Sequence, residues 1–335
     1  MTVVWVYFAV CVLIIFFAGR RIARYGDIIA NETGLGGIWI GVMLLAVATS
    51  LPELFLGISA VLWVGSPDLT VANLFGANVF NLLNLVLLDV ACRNQGPLLA
   101  SLMPGHQRTA WLSIGVVLLV AASILVSRFF SPGIGWIGWY VPVIIVAYVL
   151  AARAIFRHEQ RQSATQADDE KIPTECAGVS LRKVYVHFGI SAAFIIGAGC
   201  WLATIGEEIA TVTGWGSSFV GSLFLALTTT LPEITVSLSA LRIGARDLAV
   251  ANMIGSNLFN MAIIPVIDLF YLDGHVLADV SYVNMLTAAI VIIMTVVLIG
   301  GLRLRPAKLL GLGWWAIALI ALFLVAAYLN FTLGA

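Results

Sequence analysis

A chain of 335 residues with 61% hydrophobic and only 10% charged positions is too apolar for a soluble globular domain, where about a quarter of residues are charged. Its mean hydropathy of +1.05 indicates a polytopic membrane protein. The 17 basic and 17 acidic residues balance to zero, which argues against a nucleic-acid partner, and Cys11, Cys92, Cys176 and Cys200 fall at no metal or redox spacing.

Runs long enough to cross about 30 Å of hydrocarbon are expected at 3–19, 35–63, 69–91, 110–127, 134–156, 184–206, 215–242, 248–272, 280–302 and 312–333. No basic residue precedes the first run, and Arg20-Arg21 follow it, so it reads as a retained span and not a signal peptide. The polar stretch 158–183 divides the chain into halves at 1–157 and 184–335 and reads as a cytoplasmic linker. Sixteen of the seventeen Lys and Arg follow odd-numbered spans, Arg128 being the exception. Basic residues near span ends stay cytoplasmic, so both termini are expected outside the cytoplasm. Five spans per half also invert the second half relative to the first. The expected fold is an all-α membrane protein of ten transmembrane helices in two inverted five-helix repeats, an architecture of secondary transporters.

The halves share two motifs. Leu45-Ala-Val-Ala-Thr-Ser-Leu-Pro-Glu53 returns as Leu225-Ala-Leu-Thr-Thr-Thr-Leu-Pro-Glu233, and Ala72-Asn-Leu-Phe-Gly-Ala-Asn-Val-Phe-Asn81 as Ala251-Asn-Met-Ile-Gly-Ser-Asn-Leu-Phe-Asn260. The offset is 180 for the glutamates and 179 for the asparagines, and it continues through Gly41 with Gly221, Gly65 with Gly244, Asp68 with Asp247 and Asp89 with Asp268. A carboxylate at bilayer depth costs several kcal/mol, so two at equivalent positions mark a functional site.

Pro52 and Pro232 cannot donate to the carbonyls four residues back, so helices 2 and 7 are expected to break there and free oxygens in mid-membrane. Thr49 and Glu53 share a helix face at i and i+4, as do Thr229 and Glu233, with Ser50 and Thr230 adjacent. Such an all-oxygen set suits Ca²⁺ or Na⁺ and not a soft metal. On the next helices Asn73, Ala77 and Asn81 recur at i, i+4 and i+8, as do Asn252, Ser256 and Asn260. Asn81 and Asn260 read as site residues; Asn73 and Asn252 fit either the site or helix-to-helix hydrogen bonding.

These doubled motifs resemble the two alpha-repeats of the sodium/calcium exchanger family, within the cation/calcium antiporter superfamily. The resemblance implies electrogenic exchange of cytoplasmic Ca²⁺ for external Na⁺. It also implies Ca²⁺ on Glu53 and Glu233, backbone oxygens from Thr49 and Thr229, and flanking positions for Asn81, Ser256 and Asn260. Ala77 departs from the family's Ser, Asn260 is neutral where several members are acidic, and Ala48 and Thr228 replace a Gly. Stoichiometry is therefore not carried over. By fold analogy, spans 1 and 6 would rock against the site-bearing bundle.

Two glutamates nearly neutralise one Ca²⁺ and can instead be satisfied by Na⁺, so competition for shared charge would couple the ions. A Ca²⁺/H⁺ antiporter of the same fold is the rival, since buried carboxylates can also carry protons. No metallohydrolase, diphosphate or Ser/His/Asp motif supports an enzyme, and a paired closed site argues against a channel. The expected partners are inorganic cations and lipid; no cofactor beyond the transported ions is expected, and a monomer suffices. His106, His158, His187 and His275 read as surface groups. Asp89 is expected to pair with Arg93, and most tryptophans to anchor span ends.

Overall fold

The structure, a computed structural model, describes residues 2–92, 96–166, 180–213, 225–304, 308–309 and 312–333. Eight helices among the described residues are long and apolar enough to cross a membrane, and a shorter apolar helix follows at Trp314–Asn330. They are α1 (Thr2–Thr33), α2 (Gly37–Val64), α3 (Pro67–Ala91), α4 (Gly105–Phe129), α5 (Tyr140–Gln166) and α6 (Leu181–Thr213). Two pieces, α7 (Leu225–Thr229) and α8 (Leu231–Arg242), precede α9 (Arg246–Asp268), α10 (Val283–Arg303) and α11 (Trp314–Leu333). Part of the linker, the start of the seventh span with Gly221, and Arg93 and Cys176 lie outside the described residues.

Two boundaries differ from the sequence expectation. The first helix does not end near residue 19 but runs to Thr33, because Ile22, Ala23, Ile28 and Ile29 are buried and carry an apolar face past the arginines. The fifth span begins at Tyr140, since Gly133–Ile134 (β1) and Ile137–Gly138 (β2) form a small antiparallel hairpin with Gly135 left-handed at its turn. A second such hairpin pairs Lys308–Leu309 (β3) with Leu312–Gly313 (β4), so the described fold is not purely helical.

The second helix is not broken at Pro52. Helix continues from Ala46 to Ser59, with wider π-helical turns on either side at Gly41–Leu45 and Ala60–Val64. One proline removes one ladder bond, and packing on both sides holds the rest in place. The α7–α8 segment does break, at Thr230, whose backbone leaves the helical region (φ −83°, ψ 0°) before Pro232 opens the next helix. Both segments then end on a matched left-handed glycine, Gly65 (φ 67°) and Gly244 (φ 86°), which need no Cβ accommodation.

Helix α9 is the centre of the bundle, touching α2, α3, α4, α5 and α8. Its closest neighbour is α2. A Cβ on Gly41 would lie 2.5 Å from the Ala251 Cβ, and one on Gly255 would lie 2.5 Å from the Val42 Cα, so these glycines let the two backbones meet. Helices α1 and α6 pack along each other at the edge, α1 also against α8.

Four matched acids tie helix ends together. Asp68 accepts from the Ser281 amide (2.6 Å) and Asn284 Nδ2 (2.7 Å); its counterpart Asp247 accepts from the Met103 amide (2.9 Å) and His106 Nε2 (2.7 Å). Asp89 accepts from the Leu98 amide (2.8 Å), and buried Asp268 from the Gly138 (2.8 Å) and Val276 (2.9 Å) amides and from the Tyr140 hydroxyl. His106 is therefore no surface group: its side chain is fully enclosed.

Candidate cation site

Glu53 lies one residue past Pro52 on α2, and Glu233 one past Pro232 on α8; both are completely buried. Neither faces lipid. Ser50, on the same helix as Glu53, donates to Glu233 Oε1 at 3.0 Å, so the two motifs meet directly. Gly199 on α6 permits this approach: a Cβ there would fall 2.4 Å from Pro52 Cγ and 3.6 Å from Pro232 Cγ.

The two halves differ in how their polar groups are satisfied. Thr230, the counterpart of Ser50, does not reach across; its hydroxyl turns back to the Ala226 (3.0 Å) and Leu227 (3.2 Å) carbonyls. Thr229 and Thr49 likewise donate to Ala226 and Ala46, each at 3.3 Å. Among the described residues neither oxygen of Glu53 nor Oε2 of Glu233 has a hydrogen-bond partner. Burying such oxygens is costly unless a cation or proton neutralises them.

Asn252 is held within the protein. Its Nδ2 donates to Ser237 Oγ (3.0 Å) and the Glu233 carbonyl (3.3 Å), with Thr49 Oγ1 3.5 Å from its Oδ1. Asn73, equally buried, has no partner for either side-chain atom among the described residues. Position 57, the counterpart of Ser237, is glycine, and the hydroxyl that would hold Asn73 is missing. Among the described residues Asn81 also has no partner for either side-chain atom, nor have Ser256 Oγ and Asn260 Oδ1. Ala77 is buried and offers only a methyl group.

Sequence reasoning passed over Asn78 and Asn257. Asn78 Nδ2 donates to the Asn257 carbonyl (3.3 Å), Asn257 Nδ2 to the Asn78 carbonyl (3.2 Å), and Asn260 Nδ2 to Asn78 Oδ1 (3.0 Å). This reciprocal pair clamps α3 to α9. Their 179-residue separation inside the repeated Gly-x-Asn was the available signal.

The profile of the sodium/calcium exchanger protein family matches residues 3–155 and 183–332. The inner membrane protein YrbG of Escherichia coli (strain K12) is 23% identical over 252 residues, covering 75% of each chain. CaxA of Alkalimonas amylolytica, a candidate antiporter, is 24% identical over 310 residues, 90% of this chain and 92% of that one. Among solved structures, the sodium-calcium exchanger NCX_Mj soaked with Na⁺ and Sr²⁺ superimposes with a TM-score of 0.73 at 20% identity, over 98% of this chain and 99% of that one. The fold is shared.

Proposed function

The chain belongs to the sodium/calcium exchanger protein family, and from that premise we propose that it exchanges Ca²⁺ for Na⁺ across the membrane by alternating access. The observation that carries this reading is the pair of fully buried glutamates, three of whose four oxygens lack a donor among the described residues. Loaded with one Ca²⁺, the two carboxylates are nearly neutral; loaded with Na⁺, they are again compensated. Unloaded, they remain charged and buried, which disfavours crossing between inward-open and outward-open states and makes exchange obligatory. Glu53, Glu233, Asn73, Asn81, Ser256 and Asn260 supply side-chain oxygens. Thr49 and Thr229 supply backbone oxygens, while Ser50 positions Glu233 and Asn252 braces it.

Ten spans in two inverted halves, joined by the 158–183 linker, best account for the reciprocal Asn78–Asn257 pair and for the parallel roles of Asp68 and Asp247. The distribution of basic residues supports termini outside the cytoplasm, and the E. coli relative is named for the inner membrane. A monomer holds the whole site.

A second reading, Ca²⁺/H⁺ exchange, is favoured by Ala77 and Asn260, which remove one hydroxyl and one charge from the oxygen set. Calcium uptake into proteoliposomes separates the two. A Na⁺ gradient at equal pH drives uptake under the first reading; uptake driven only by a pH gradient without Na⁺ establishes the second.

A further inference from the structure

The arginines that close the hydrocarbon span of α1, well before the helix ends at Thr33, line a second cavity apart from the glutamates. Arg20, Arg21 and Arg24 of α1 and Arg242 at the end of α8 line a cavity of about 650 Å³, with Asp27 its acidic lining residue. All four arginines are exposed, and among the described residues none forms an ion pair with a carboxylate. Four guanidinium groups against the single carboxylate of Asp27 leave the cavity with excess positive charge that a bound anion offsets.

The cavity continues into a groove of about 330 Å³ between α1 and α6, the two sharing Phe17 and Arg21. Its walls are apolar, formed chiefly by Val10, Leu13, Ile14, Ile190 and Phe194. From Arg21 to Val10 is eleven residues of helix, about 16 Å, close to the roughly 15 Å hydrocarbon depth of one leaflet. A basic mouth opening onto an apolar groove one leaflet deep complements the shape and charge of an acidic phospholipid.

We infer that an anionic diacyl phospholipid of the cytoplasmic leaflet binds here, its headgroup phosphate between Arg20, Arg24 and Arg242 and one acyl chain along the α1–α6 groove. Arginine pockets between spans recognise phosphate in this way. The lipid bridges α1 to α8, the helix that carries Glu233, independently of which ions are exchanged.

Native mass spectrometry of the purified full chain, offered equal amounts of phosphatidylglycerol and phosphatidylcholine with identical acyl chains, tests this. The wild type retains phosphatidylglycerol preferentially. The triple variant Arg20→Gln, Arg24→Gln, Arg242→Gln loses that preference, by roughly fivefold per arginine, whereas Arg153→Gln keeps it. Equal retention of the two lipids by the wild type overturns the proposal without any variant. So does a preference that survives the triple substitution, and so does displacement of the lipid by millimolar inorganic phosphate, which marks a free-anion site.

Discussion

Asn73 and Asn252 occupy equivalent places in the two motifs, yet their removal should have opposite effects. Asn252→Ala deletes the bonds to Ser237 Oγ and the Glu233 carbonyl. At about 0.6–1 kcal/mol for each hydrogen bond in a membrane protein, the loss is about 1–2 kcal/mol. For a chain of this size that lowers the melting temperature by roughly 1–3 °C. Asn73→Ala deletes no bond among the described residues and removes a buried amide whose burial costs about 1–3 kcal/mol. Without Ca²⁺ this variant should melt at or above the wild-type temperature. Saturating Ca²⁺ adds stability according to its affinity, and that increment should shrink for Asn73→Ala because a ligand has gone. Thermal unfolding of the purified protein with chelator and then with Ca²⁺ measures both quantities. If Asn73→Ala melts as low as Asn252→Ala in chelator, Asn73 has a protein partner and the asymmetry argument fails.

Two further substitutions test the frame around the site. Gly199→Ala sets a methyl group against the rigid Pro52 ring at 2.4 Å, so α6 must shift; a loss of about 1–3 kcal/mol in unfolding and slowed calcium flux are expected, and wild-type values for both would show that α6 does not pack there. Asn78→Ala and Asn257→Ala each break one arm of the clamp between α3 and α9. In a double-mutant cycle followed by thermal unfolding they should couple by about 0.5 kcal/mol or more, and strict additivity would disprove a shared clamp.

The carboxylates were legible because a lone charge in an apolar run stands out, and its repetition 180 residues later removes chance as an explanation. Asn78 and Asn257 were harder to read, since a mid-span asparagine looks the same in sequence whether it binds an ion or a neighbouring carbonyl. The fate of the prolines was equally hidden. Helix persists through Pro52 but is interrupted at Thr230, and the difference arises from tertiary packing around near-identical local sequences. Arg20 and Arg24 marked the end of a hydrocarbon span, not the end of a helix, because buried Ile22, Ile28 and Ile29 carry α1 onward to Thr33. His106 was misjudged for want of its partner: Asp247 is 141 residues away in sequence and 2.7 Å away in space.

Equilibrium binding of ⁴⁵Ca to the purified wild type and to Glu53→Gln and Glu233→Gln addresses the shared site most directly. One Ca²⁺ per wild-type chain is expected, with affinity falling by about two orders of magnitude or more in each single variant, because either substitution leaves the divalent ion with half its compensating charge. Tight Ca²⁺ binding retained by either variant would show that the two glutamates do not hold a common ion.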